Sequence, residues 1–185
     1  MKCIGVCTKE SLHPEPARSA GSKDARFHER RSVIPEITIL ESSPVGPLSI
    51  EEEDGALVRV RWKKARSETP TPLLEEAARQ VRAYFARELR DFDLPLRPEG
   101  SAFEQQVWEA MQRIPYGETR SYGEVAKETG GMPQEVGEAC ATNPLPIIIP
   151  CHRILAGGGK LGGYSGKGGL ETKTRLLVHE GRLLV

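Results

Sequence analysis

The sequence predicts an α/β chain in two units, strands and one helix first, then a mainly helical part. Three observations carry this. Apolar residues between positions 34 and 66 alternate, or nearly so, with polar ones, the period of a half-buried strand. From residue 71 the apolar spacing becomes three and four, the period of a helix. After residue 100 the chain carries Ser101-Ala102-Phe103-Glu104 and Ser121-Tyr122-Gly123-Glu124, both patterned as capping boxes that open helices.

The first 33 residues stand outside that scheme. They are rich in Ser, Pro, Glu, Lys and Arg and poor in apolar residues, so they cannot bury enough surface to fold alone. A poorly ordered extension is expected there. Cys3, Cys7, His13 and His28 could in principle bind zinc, but the spacing fits no compact zinc motif. Scattered residues on a solvated tail are the competing reading.

In residues 34–66, Ile37, Ile39, Leu57, Val58, Val60 and Trp62 mark strands, punctuated by turns at Val45-Gly46-Pro47 and Asp54-Gly55. Thr71-Pro72 then opens a helix with Leu74, Ala77, Ala78, Val81, Phe85 and Leu89 as its apolar stripe. Leu94-Pro95 to Gly100 reads as a linker. In the second unit, Phe103, Val107, Trp108 and Met111 form an apolar face. A short helix follows Ser121, Gly130-Gly131 and Pro133 break it, and another runs from Gln134 to about Ala141. Such a pair suits a helix-turn-helix, although similar pairs occur in proteins that never touch DNA.

Composition narrows the classes. The chain has 185 residues, with 26 basic against 26 acidic side chains, so global charge gives no support for nucleic-acid binding. Residues 1–33 carry a net of +3, residues 34–100 a net of −3, and residues 101–185 nine charges of each sign. No apolar run reaches a membrane span and no signal-peptide core precedes residue 33, so a cytoplasmic location is expected. In that setting the four cysteines are expected to be free, metal-bound or catalytic rather than disulfide-bonded.

The most unusual stretch is Asn143-Pro144-Leu145-Pro146-Ile147-Ile148-Ile149-Pro150-Cys151-His152-Arg153. Prolines bracket a β-branched run, and a cysteine and a histidine then sit side by side. A cysteine among isoleucines is ordinarily an inert small hydrophobe with a raised pKa. Against that, His152 and Arg153 supply a base and a cation that favour the nucleophilic thiolate. The glycines between Gly157 and Gly169 could let the backbone pass close to a flat ligand. From the residues alone both readings stand.

Pro150-Cys151-His152-Arg153, with Asn143-Pro144 and the Ile run before it, resembles the active-site signature of the O6-alkylguanine-DNA alkyltransferases, the methylated-DNA–protein-cysteine methyltransferases. Val107-Trp108-Glu109-Ala110, Ile114-Pro115-Tyr116-Gly117, Ser121-Tyr122-Gly123-Glu124, Gly163-Tyr164-Ser165-Gly166 and Leu176 to Gly181 also look like blocks of that family. The likeness is strong over residues 101–181, loose over 34–100 and absent over 1–33. It implies an N-terminal α/β domain (34–98) with a small antiparallel sheet. A helical, winged-helix-like C-terminal domain (99–185) would bear the helix-turn-helix and the cysteine.

The resemblance implies DNA repair by direct reversal: an alkyl group passes irreversibly from O6 of guanine in DNA to Cys151, once per molecule. The base must leave the stack to be reached. His152 would take the thiol proton through a water, Glu180 would orient His152, and Tyr122 would aid the departing guanine. Asn143 would brace the turn before the site, while Tyr164, Ser165 and Arg153 would meet the substrate. Tyr122, Gln134, Gly137 and Arg120 would contact DNA. No cofactor or catalytic metal is implied. The partner it implies is double-stranded DNA carrying O6-alkylguanine, and a monomer is expected.

Two departures stand out. The family's recognition helix carries an arginine that fills the gap left by the extruded base; that position here is Gln134, in a segment about two residues short. Glu135 and Glu138 add charge that opposes phosphate contact. Gly166-Lys167-Gly168-Gly169 is about two residues long for the family. The expectation is a working alkyltransferase in which Gln134 or Arg120 stands in for the arginine. An alkyltransferase for single strands or small alkylated molecules, and a binding-only sensor, are the alternatives; retention of Cys151 argues against the last. Cys140 is read as structural.

Overall fold

The computed structural model describes residues 36–40, 43–63 and 68–183. Cys3, Cys7, His13 and His28 lie outside them. The first unit opens on an antiparallel sheet of β1 (Glu36–Leu40), β2 (Leu48–Glu53) and β3 (Ala56–Arg61), in that spatial order. The Asp54-Gly55 turn joins β2 to β3 as the sequence predicted, and a register shift after Glu51 lets the ladder absorb one extra residue of β3. Leu48, Ile50, Leu57 and Val60 are buried. Among them pack Leu74, Ala77, Ala78 and Val81 of α1 (Pro72–Phe85), whose start is capped by Thr71 Oγ1 accepting from Leu74 N at 3.1 Å.

The stripe expected for α1 needs two changes. Tyr84, not Phe85, takes the last interior place, because its hydroxyl finds a buried carboxylate there; Leu89 lies beyond the helix end. The expected linker is also part of the sheet. Leu57 N donates to Pro95 O and Arg97 N to Leu57 O, so residues 95–97 run alongside β3.

Both predicted capping boxes are present, on Ser101 and Ser121. They open α2 (Ala102–Gln112) and α3 (Tyr122–Thr129). A turn over residues 130–132 leads to α4 (Pro133–Thr142), which completes the helix-turn-helix within a residue of the expected span. Trp108 is fixed in the core by its indole N–H donating to Ala139 O at 2.8 Å. Two short strands, β4 (Arg120–Ser121) and β5 (Ile154–Leu155), pair in parallel, and α5 (Leu170–His179) closes the chain's path. The Ile run is buried in a looped segment. No helix among the described residues is long and apolar enough to cross a membrane.

Candidate active site

Asn143, at the end of α4, closes the loop that carries the site. Its side-chain oxygen accepts from Leu145 N (3.0 Å) and its amide donates to Ile149 O (2.9 Å). Ile149 N adds a bond to Leu145 O. The closed loop holds Ile147 at φ +77°, a conformation β-branched residues adopt only under constraint. Pro150 then leads into one 3-10 turn, Cys151–Arg153, whose three residues are all buried. Val60 N of β3 donates to Pro144 O at 2.8 Å, which ties the sheet to this loop.

The turn sends its side chains to different surroundings. Cys151 lies on the wall of a cavity of about 440 Å³. His152 is fully buried, with Nε2 2.8 Å from Glu180 Oε1. Arg153 turns onto the same carboxylate: its Nε and Nη2 donate to Glu180 at 2.9 Å each, and Nη1 donates to Ile114 O at 2.6 Å. It does not line the cavity, which corrects the expectation that Arg153 meets the substrate. A buried guanidinium must be paired, and Glu180 is the pairing group. Glu180 also accepts from Tyr84 Oη (2.8 Å) and from Gly117 N (3.2 Å).

This geometry decides protonation. Burial pushes the Glu180 carboxyl up, but the hydrogen bonds and charges of His152 and Arg153 outweigh it and hold the pKa at about 2. Burial lowers the His152 pKa more than Glu180 raises it, so the ring is neutral. A neutral imidazole facing a carboxylate through Nε2 carries its proton there, leaving Nδ1 as a bare acceptor. Nδ1 is buried and has no hydrogen-bond partner among the described residues. Burial also pushes the Cys151 thiol up, with a hydrogen bond from Asn143 and the Lys173 charge pulling the other way. The thiol therefore needs a base, and the next residue in the chain carries an unengaged ring nitrogen.

The cation that helps the thiol is not Arg153 but Lys173, which sequence reasoning missed. Lys173 is fully buried on α5, its ammonium donating to Ile154 O (2.5 Å) and Gly163 O (3.3 Å). A signal existed: Lys173 shares the inward stripe of α5 with Leu176 and Leu177, where a lysine is out of place unless engaged. Tyr84 was missed as well, because nothing local in α1 announces a carboxylate far along the chain.

The cavity that holds Cys151 is also walled by Tyr122, Gly163, Tyr164 and Ser165. Burial raises the Tyr122 pKa to about 12, so its hydroxyl keeps its proton at neutral pH and can donate. The Tyr164 ring is met edge-on by Trp62 of the sheet unit, centroids 6.2 Å apart. Gly166 permits this packing, since a Cβ there would sit 2.4 Å from the Tyr164 ring. The remaining wall is one face of α4: Pro133, Gly137, Cys140 and Ala141. Cys140, read as structural from the sequence, lines the cavity too. Gln134 is exposed and does not line it. Arg120 and Arg113 both pair with Glu128. Glu135 is engaged in accepting from Met132 N, while Glu138 is exposed.

Residues 37–98 match the family model of the 6-O-methylguanine DNA methyltransferase ribonuclease-like domain, and residues 102–182 that of its DNA binding domain. The methylated-DNA–protein-cysteine methyltransferase of Methanosarcina acetivorans is 43 % identical over 149 residues, 75 % of this chain and 94 % of the relative. The constitutive enzyme of that name from Bacillus subtilis is 42 % identical over 137 residues, 67 % of this chain and 83 % of its own. The crystal structure of Mycobacterium tuberculosis O6-methylguanine methyltransferase superposes with a TM-score of 0.70 at 39 % identity, covering 82 % of this chain and 96 % of that one. The same organism's OGT in complex with DNA gives 0.70 at 42 % identity, over 80 % and 94 % of the two chains.

Proposed function

The chain belongs to the methylated-DNA–protein-cysteine methyltransferase family, and from that premise we propose that it repairs DNA by moving an alkyl group from O6 of guanine onto Cys151 Sγ. It is a DNA-binding repair methyltransferase of the cysteine-alkylating kind. The observation that carries the assignment to Cys151 is the bare, buried Nδ1 of a neutral His152 beside a thiol that burial keeps protonated. A water there would pass the Sγ proton to Nδ1. The sulfur then forms its bond to the alkyl carbon, the carbon–O6 bond breaks, and the electron pair leaves on guanine. Tyr122 Oη donates a hydrogen bond to the departing base. Glu180 stabilises the imidazolium, and Arg153 and Tyr84 keep Glu180 ionised and in place. The thioether is stable, so each molecule reacts once.

Tyr164 and Ser165 line the base pocket and Asn143 braces the loop beneath it. A monomer in the reducing cytoplasm remains part of this reading, the Cys151 and Cys140 thiols being free. We draw the boundary between the two units at residues 98 and 99, in the gap between the matched segments.

The test is to incubate the protein with duplex and single-stranded oligonucleotides carrying one O6-methylguanine and to map the adduct by peptide mass. One methyl on Cys151 is expected. A methyl on Cys140 instead, or no adduct on any substrate, overturns the assignment. The exposed Glu138 on α4 is the observation that favours a second reading, a preference for single strands, and the two substrates distinguish it.

The DNA contact carries a prediction of its own. Glu128 occupies both Arg113 and Arg120, withholding two cations from phosphate. Glu128→Gln should tighten duplex binding several-fold and steepen the slope of log K against log salt by about one. A slope unchanged in a salt titration would mean that neither arginine reaches the backbone.

A further inference from the structure

Cys151 is only 3 % exposed, so a guanine stacked in a duplex cannot bring its O6 to the sulfur. On the transfer reading above, the nucleotide must swing out, and the gap it leaves must be filled from the rim of the cavity. The α4 wall shows where the rim is. It runs from the exposed Pro133 through Gly137 to Cys140, which is 8 % exposed. The residue just outside the exposed end is Met132, 59 % exposed, the most exposed large hydrophobic side chain among the described residues.

Met132 occupies the N-cap of α4, a position that ordinarily takes Ser, Thr, Asp or Asn. The capping is done instead by Glu135, whose carboxylate accepts from Met132 N at 2.7 Å. The methionine side chain is thereby left without a structural task at the helix end. Its backbone is held on both sides. Gly131 lies so close to Phe103 that a Cβ would stand 2.4 Å from the ring, and Pro133 fixes the next φ. A large apolar side chain projects from a rigid turn at the mouth of the site.

We propose that Met132 is the wedge that enters the duplex as the target nucleotide leaves it, in the role sequence reasoning gave to Gln134 or Arg120. An unbranched thioether is slim and polarisable, and it packs against base faces without needing charge. That fits a helix whose first turn carries Gln134 and Glu135 and whose second carries Glu138.

The experiment compares Met132→Ala, Met132→Leu and Gln134→Ala with the wild type. The rate of Cys151 methylation is followed by intact mass on duplex and on single-stranded O6-methylguanine DNA. 2-Aminopurine beside the lesion reports unstacking. Met132→Ala should slow the duplex reaction roughly tenfold or more and weaken the 2-aminopurine signal, with the single-strand rate within about twofold. Met132→Leu should restore most of the duplex rate, and Gln134→Ala should slow it far less than Met132→Ala does. An unchanged duplex rate in Met132→Ala, or equal loss on both substrates, overturns the wedge. No adduct from the wild type on either substrate overturns the transfer reading itself, and the wedge with it.

Discussion

Cys151→Ala is expected to abolish alkyl transfer to the protein while leaving a folded molecule that still binds DNA. Of the two thiols lining the cavity among the described residues, Cys151 is the one followed in the chain by a histidine. Cys140 shares the wall, but burial raises its pKa. Removing one small buried atom from a 3 % exposed site costs about 1 kcal/mol of stability, well within what a domain tolerates. Peptide mapping after long incubation checks the result, and a methyl found on Cys140 in the variant would show that the cavity, rather than the Cys151–His152 pair, selects the acceptor. Cys151→Ser should be nearly as inert, because a neutral imidazole cannot deprotonate an alcohol as readily as a thiol.

Glu180→Ala should have the second largest effect, on stability and rate together. The carboxylate holds His152, Arg153, Tyr84 and the Gly117 amide, and its side chain is wholly buried. Its loss leaves a buried guanidinium without a counter-ion, a change worth about 3–5 kcal/mol. In thermal unfolding that should be a drop large enough to threaten folding at 37 °C. Glu180→Gln keeps the shape and one accepting oxygen but loses the charge, so Arg153 again lacks its counter-ion and stability should fall, though less than in the alanine variant. Measured on the fraction that remains folded, the reaction should be roughly a hundredfold or more slower, since the imidazolium loses its stabilising charge. A Gln variant as fast as wild type would remove Glu180 from the mechanism.

The same pair sets the acid response. Glu180 sits at about 2 in the fold against an ordinary 4.5, so its stabilisation is complete above 4.5 and is lost as pH falls toward 2. His152 is buried neutral with its pKa lowered, so the unfolded chain takes up a proton first, and stability begins to fall once pH drops below the ordinary 6.5. Melting temperature should therefore decline in two stages on acidification, and Glu180→Gln should erase the lower one.

Much of the fold could be read locally. Thr71-Pro72, Ser101 to Glu104 and Ser121 to Glu124 announce three helix starts because capping is a contact between near neighbours. The Asp54-Gly55 turn is legible for the same reason. What escaped was the part made by distance in sequence. The strand-like attachment of residues 95–97 depends on the free edge of β3. The inward choice of Tyr84 over Phe85 depends on Glu180. Cys151 and His152 were legible as neighbours, but Arg153 misled, because adjacency along the chain says nothing of direction within a 3-10 turn. Lys173 supplies the positive charge that adjacency had assigned to Arg153.

The bond from Tyr84 to Glu180 has a consequence for how such a chain can be rearranged. One oxygen of the acid behind His152 is shared with α1, and β3 is bonded to the loop that carries Cys151. The seam between the two matched segments is thus a boundary in the genetic text and not in the chemistry. A chimaera that exchanged the first segment for a foreign one without a tyrosine at this point of α1 would inherit every reacting residue and still receive an acid with a missing partner. Recombination along this seam is therefore constrained to partners that carry the hydroxyl with them.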